Sequence, residues 1–563
     1  MVGYDNFDFK DTIRDELLGH KAKMRNLTTS WVMICPELPA TGLTQDMHDP
    51  TIQLQTMDIL NSPAVCGGDD IGPKISTYHI VEAIRKVHSR GLLVIYKDSE
   101  LDPPSMPIID RLRPHKTRFH QLAGIFEHEG SLQGTYGVHE AIYIQQFGLK
   151  APEDPYSGEP DDFTNILRLI HGDALTAERI RGVKSQQFRA ARPYDRRDWL
   201  LGIPSWFHIH MNLLYTIIRT HWSADEHSRE TPHSIQSDAR AWDRTFGDRA
   251  NPKYHVLEPL LAQSFTARVL ALFYTELESE GLIIQHDQTS YDRVATIDSA
   301  MGKLLPESFE SIVERVRRTG FTIEAWQGHG HKDVEFTTMC RFLQEVELFL
   351  TVRIAVKHGD IGLLRRLVDP LIVTFLGAAQ WNYVYEMLFY RWLLSPACTE
   401  PLQRSILASG LVNWQGRATT WKATDLGLEH LNCNCKIEMK CYKNSTHNVD
   451  TIFNRVCLTN TWIRELRYKL EGRYGEYMPG THSTASALED MFSLGQKLFS
   501  EALARPRATI PPGGPLPPFE SRDIWQIGVD SLDEKVERFN KKFTKQSVLT
   551  QGTYITNEVR AMK

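Results

Sequence analysis

The 563-residue chain carries 64 Lys and Arg against 70 Asp and Glu, a formal net charge of -6 at pH 7, with 41% hydrophobic and 24% charged residues. This length exceeds what one hydrophobic core usually serves, so two domains or one domain with a large insertion are expected, and the composition excludes fibrous and wholly disordered classes. The acidic balance excludes a chain-wide attraction to nucleic acid and leaves only a local patch for such a partner, while eight cysteines are too sparse for a disulfide scaffold and suit a reducing compartment.

The opening run YDNFDF alternates aromatic with polar or acidic residues and predicts a strand containing Asp5 and Asp8; LTTSWVMIC predicts a second. After a Pro-, Gly- and Asp-rich passage from Pro36 to Pro73, ISTYHIVEAIRKVHSRG has helical period with Gly91 as its terminal cap, and LLVIYKD reads as a buried strand or helix. FTNILRLIHGD predicts a strand ending in Gly172-Asp173, and LTAERIRGVKSQQF predicts the helix after it. WLLGIPSWFHIHMNLLYTIIRTHW then predicts an apolar element running into a long amphipathic helix. From Tyr254 to about Leu394 the period is helical nearly throughout. TIPPGGPLPP cannot be helix and reads as a spacer, followed by a charged amphipathic segment around Leu532 to Phe543. The basic stretches Arg315 to Arg318 and Glu534 to Lys545 are interleaved with acids and read as solvated helix faces.

These elements divide the chain into residues 1–222 as the main part of an α/β core, 223–410 as a helical insertion, 411–500 as a return to the core, and 501–563 as a Pro-rich spacer with a last helix. The acidic N-terminus lacks the apolar centre of a signal peptide, and no run of about 18 apolar residues escapes interruption by charge, so an intracellular protein with no membrane partner is expected.

Asp5 in the first strand and Asp173 at the end of a later one are acids that adjacent strands would bring together. With a third carboxylate from a helix, such a set suits two Mg²⁺ ions about 4 Å apart, one on the attacking and one on the leaving oxygen of a phosphodiester. The third acid is Glu429 in DLGLEHLNCNCK or, ranked lower, Glu386 in NYVYEMLFY. Each acid alone has a plainer reading, since an Asp opening a helix is usually an N-cap and a helical Glu usually makes a surface pair. His208 and His210 in WFHIHMN are lower-ranked candidates for metal or proton transfer, and such residues are more often hydrogen-bonded in a core. His430, Cys433, Cys435 and Cys441 are spaced His-x2-Cys-x-Cys-x5-Cys, which is not a standard zinc pattern, and zinc is not expected. HGHKD near His329 and GDIG at Gly359 to Gly362 are turns, and no Walker, dinucleotide, G-x-S-x-G or kinase signature is present.

YDNFDF with LTTSW, HGDALTAERIRG, WFHIHMNLL, HGDIGLLRRLVDPL with WNYVYEMLFY, and LVNWQGR with TDLGLEHLNCNCK carry a resemblance in that order. The chain resembles a fungal family, domain of unknown function 6589, which looks related to the catalytic parts of certain DNA transposons. The resemblance implies an RNase H-like mixed sheet with a large helical insertion and a helical C-terminal part. Asp5, Asp173 and Glu429 would then hold Mg²⁺ for DNA strand cleavage or transfer, or be what remains of such a site; a nuclear location would follow, and a cytoplasmic one otherwise. Related transposon proteins often have an acid just before the Phe-His pair, where this chain has Trp206. Because the first expected core strand lies at the very start of the sequence, an amino-terminal DNA-targeting module is not expected. The alternative is a catalytically inactive protein-binding scaffold.

Overall fold

The computed structural model describes every residue except 12–22, 98, 152–160, 224–232, 245–252, 284–289, 323–332, 442–448, 475–486, 508–518 and 562–563. The spacer TIPPGGPLPP and most of HGHKD lie outside the described residues. In chain order the first part includes, beside shorter helical segments, β1 (Val2–Asp11), β2 (Lys23–Ile34), α1 (Ile71–Val87), β3 (Arg118–Gln121), α2 (Leu132–His139), β4 (Arg168–Gly172), α3 (Ala174–Gln186), β5 (Leu200–Pro204) and α4 (Trp206–His221). The five strands form one mixed sheet in the order β3-β2-β1-β4-β5. β1 runs antiparallel to β2 and β2 to β3, whereas β1, β4 and β5 are parallel, with α3 as the crossover between the last two.

Alternation along β1 decides what each face holds. Val2 and Tyr4 point into a core with Val138, Ile142, Ile170, Ile180 and Trp199, beneath α2 and α3. Gly3, Asp5 and Phe7 point the other way. Phe7 packs with Leu27, Cys435, Met439 and Phe453, while Trp31 and Met33 of β2 pack with Val412, Leu428 and Leu431. A Cβ on Gly3 would stand 3.0 Å from Leu428 Cδ1, so the missing side chain lets a later helix lie close on the sheet.

The helical body includes α5 (Tyr254–Ser279), α6 (Pro306–Gly320), α7 (Val334–His358), α8 (Ile361–Gly377) and α9 (Trp381–Leu393), beside the shorter helices Ile235–Ala241, Ser290–Met301 and Glu400–Ser409. The chain then makes a short hairpin, β6 (Leu411–Asn413) and β7 (Trp421–Ala423), and returns to the sheet with α10 (Thr424–Cys441) and α11 (Val449–Tyr474). α12 (Leu488–Ser500) and α13 (Ile524–Ala561) close the described chain. α5 is long and apolar enough to cross a membrane by length and composition; here it is buried among α1, α6, α7 and α12, with Arg268 in its middle. α13 lays Leu532, Val536 and Phe539 against the body.

One local expectation changes, and one open alternative is decided. Gly91 does not cap a helix: the first helix ends at Val87, and Gly91 is buried within the next one, Ser89–Tyr96, where a Cβ would meet Met301 at 3.0 Å. LLVIYKD is therefore mostly helix. The basic stretches meet acids as expected of helix faces, Arg315 with Glu276 and Glu280, Arg317 and Arg318 with Glu314, and Lys541 with Glu537.

Candidate functional site

Register brings the first two acids level. Gly3 of β1 pairs in parallel with His171 of β4, so Asp5 and Asp173, each two residues further along, sit at the same height on neighbouring strands and share a face. Asp5 is half-buried, and its Oδ1 accepts from the Asn6 N–H at 2.8 Å and its Oδ2 from Asn432 Nδ2 at 2.7 Å. Asn432 in turn accepts a hydrogen bond from Thr29, the cross-strand partner of Asp5. Asp173 is the N-cap of α3, with Oδ1 accepting from the Thr176 N–H at 2.7 Å.

α10 supplies the other side of the site. Asp425, Glu429 and Asn432 fall on one helix face at spacing i, i+4, i+7. Asp425 is buried and accepts from the N–H groups of Phe207 and His208 at 3.0 and 2.9 Å, so it closes the amino end of α4 from another helix. His208 Nδ1 also donates to Asp425 at 2.9 Å, and its Nε2 lies 3.9 Å from Glu429, whose side chain is 46% exposed. Burial alone would lower the His208 pKa, but the Asp425 hydrogen bond and the charges of Asp425, Asp173 and Glu429 outweigh it and raise it to about 9.

A further carboxylate stands behind Asp5. The loop after β3 runs beside β2 through paired Thr28 and Ile125 hydrogen bonds at 3.0 Å, and Thr28 Oγ1 donates to the Glu127 carbonyl at 2.8 Å. This sets Glu129, only 2% exposed, next to Asp5 and Asp173, with its Oε2 lacking any hydrogen-bond partner. Burial foremost, then Asp5 and Asp173, pushes the Glu129 carboxyl far above its ordinary range, against the opposing pull of Arg179. Burial, followed by Glu429 and Asp173, pushes Asp5 up to about 7. Among the described residues no three His, Cys, Asp or Glu side chains stand close enough, as they lie, to hold a metal ion together. The donor set nevertheless fits a hard divalent cation, because its members are carboxylate oxygens, one of them buried and unpartnered, and neighbouring negative charge disfavours their ionisation without added positive charge.

A family model for a family of unknown function, DUF6589, matches residues 72–482, more than half of the chain. The chain belongs to the DUF6589 family. No curated protein and no solved structure matches it. The DUF6589 match contains Glu129, Asp173, His208, Glu386, Asp425 and Glu429, whereas Asp5 precedes it.

The other sequence candidates of this DUF6589 chain lie apart from the carboxylate group. Glu386 on α9 is buried against Arg181 of α3 in an ion pair. His210 is a core histidine: its Nε2 donates to the Phe349 carbonyl at 3.0 Å, its ring stacks on Phe349 at 4.1 Å, and burial pushes its pKa down to about 3. Asp8 is exposed. Trp206 is wholly buried against Tyr390, and Asp425 brings an acid to that end of α4 from 219 residues further on. Cys433 is exposed and Cys435 buried on a different side of α10, His430 is exposed, and the Cys441 side chain lies outside the described residues. Asp425, Asn432 and Glu129 are not among the residues that the sequence motifs single out. The helical spacing of the first two with Glu429 was a usable signal, whereas Glu129 sits in a loop that only tertiary packing orients.

Proposed function

We propose that this DUF6589 protein is a divalent-cation-dependent enzyme of phosphodiester chemistry, cleaving or transferring DNA strands, built on an RNase H-like sheet. The observation that carries the reading is the level register of Asp5 and Asp173, with Glu129 and Glu429 near enough that these acids oppose one another's ionisation. Mg²⁺ bound there would supply charge for the attacking and leaving oxygens. Asp5 and Asp173 would hold it, with the buried Glu129 behind and Glu429, its side chain 46% exposed, toward solvent. Asn432 fixes the Asp5 carboxylate, and Asp425 fixes the His208 ring beside Glu429. A protonated His208 at that position is suited to meet a phosphate oxygen or hand a proton to a leaving oxygen. The strand order and the mixed parallel and antiparallel pairing support the RNase H-like assignment. DNA as partner and the nucleus as location follow from the same reading.

The test is cleavage of a labelled DNA duplex by the full chain in Mg²⁺ or Mn²⁺, compared with Asp173→Asn and Glu429→Gln. The reading expects cutting that EDTA stops and that each variant loses at least 100-fold, on the order of 3 kcal/mol of barrier. Cutting unchanged in both variants would refute it.

A second reading, a catalytically silent protein-binding scaffold, is favoured by one surface. Leu458, Trp462, Leu466 and Leu470 recur every fourth residue along α11 and are all 44% or more exposed, a stripe of the kind that partner proteins cover. No metal-dependent cutting together with capture of a protein through this stripe would favour it.

A further inference from the structure

Beneath the carboxylate face, α10 and α11 are joined by a cluster that the proposed chemistry does not use. Cys435 of α10 and Cys457 of α11 are both fully buried in one small core with Phe7 and Phe453. Buried thiols in apolar surroundings are ordinarily inert. Cys435 differs because donors converge on its sulfur: Asn460 Nδ2 at 3.1 Å, Gln121 Nε2 at 3.3 Å, and the thiol of Cys457. Asn460 Nδ2 also donates to the side-chain Oε1 of Gln121 at 3.2 Å, so β3 and α11 both aim polar hydrogen at the one α10 sulfur. Two side-chain amides and a thiol facing a single thiol sulfur favour a thiolate there over a neutral S–H.

We propose that Cys435 and Cys457 are an oxidation site, a thiol pair that a hydroperoxide converts to an intramolecular disulfide tying α10 to α11. The Cys435 thiolate attacks one oxygen of hydrogen peroxide, the O–O bond breaks, and hydroxide leaves to become water, giving Cys435 as a sulfenic acid. The Cys457 sulfur then attacks the Cys435 sulfur, the S–O bond breaks, and the hydroxide that leaves takes up the remaining proton as a second water. In sum, two thiols and one hydrogen peroxide give one disulfide and two waters. The Cys457 thiol is hydrogen-bonded to Cys435 within the same small core, so the two sulfurs that must join are already neighbours. This inference does not depend on the metal reading.

The experiment treats the full chain with hydrogen peroxide, blocks remaining thiols with N-ethylmaleimide in denaturant, and maps peptides without reduction. The expected product is a peptide pair linked through Cys435 and Cys457, absent from Cys457→Ala, in which dimedone labels Cys435 instead. The oxidised wild type should also melt a few degrees higher than the reduced form, because the link closes a loop of about 20 residues. The exposed thiols of Cys66 and Cys433 serve as internal controls. If Cys435 and Cys457 are both recovered as separate alkylated thiols while Cys66 and Cys433 have been oxidised, or if Cys435 is found linked to a different cysteine, the proposal is overturned. Cys457→Ser, tested beside Cys457→Ala, guards against a variant that fails to fold, since either one suffices if its melting temperature matches the reduced wild type.

Discussion

In the helical body, Arg268 of α5 meets Asp238 at 2.6 Å with both side chains almost wholly out of water, and Glu386 of α9 meets Arg181 of α3. On the sheet face, Asp5, Glu129, Asp173 and Glu429 share one region in which the nearby positive groups are His208 and Arg179. Both regions remove charge from water, yet only the first matches it residue by residue. A buried charge with a dedicated partner belongs to the architecture, because removing either member leaves the other stranded. Several like charges gathered where neighbours disfavour their ionisation are costly to keep, and such groups concentrate at binding and catalytic sites.

The contrast breaks most visibly in the body. Arg268→Ala strands Asp238 and should cost about 3–5 kcal/mol, read from the denaturant midpoint, whereas combining Arg268→Met with Asp238→Leu should return most of it. A neutral single variant would remove the distinction between the two regions.

On the sheet face the same contrast appears as pH dependence without divalent cations. Asp5, raised from 3.8 to about 7, contributes stability that is present below 3.8 and lost as pH rises through 7. His208, raised from 6.5 to about 9, contributes stability that is present below 6.5 and lost as pH rises through 9. Both slopes have the same sign, so the metal-free protein should lose on the order of 1–3 kcal/mol between pH 6 and pH 9, allowing for solvent screening. Mn²⁺ should restore most of that loss at the alkaline end. A profile that is flat or rises with pH would contradict the arrangement.

A smaller effect should come from Glu129→Gln. It replaces a carboxyl whose ionisation burial and its neighbours oppose with a neutral amide, so the protein in EDTA near neutral pH should gain about 1–2 kcal/mol while its affinity for Mn²⁺ falls roughly tenfold. Stability lost in EDTA would mean that Glu129 is a structural acid with a partner.

What the sequence made legible follows from how local each signal is. YDNFDF, LTTSW and LRLIHG read as strands because aromatic and β-branched residues alternate or cluster between turn signals, and they are strands, whereas LLGIP read only as an apolar element and proves to be the edge strand β5. β3 is RFHQ, four mostly polar residues on a sheet edge, and β6 and β7 are three residues each, too short for any periodicity to register. Asp5 and Asp173 could be placed at strand positions because their strands were visible, but their equal height depends on the parallel register of β1 with β4, more than 160 residues apart. Asp425, Glu429 and Asn432 share a helix face that the sequence did display. Glu129 was hidden because the loop holding it takes its course from Thr28 on β2.

The most direct measurement is calorimetric titration of Mn²⁺ into the wild-type chain and into Asp173→Asn at pH 8, above the point where Asp5 loses its proton. Asparagine is also a good N-cap, so α3 should survive the substitution and the comparison isolates the carboxylate. The account predicts saturable binding in the wild type and an affinity at least tenfold weaker in the variant; no binding in the wild type, or equal binding in both, would contradict it.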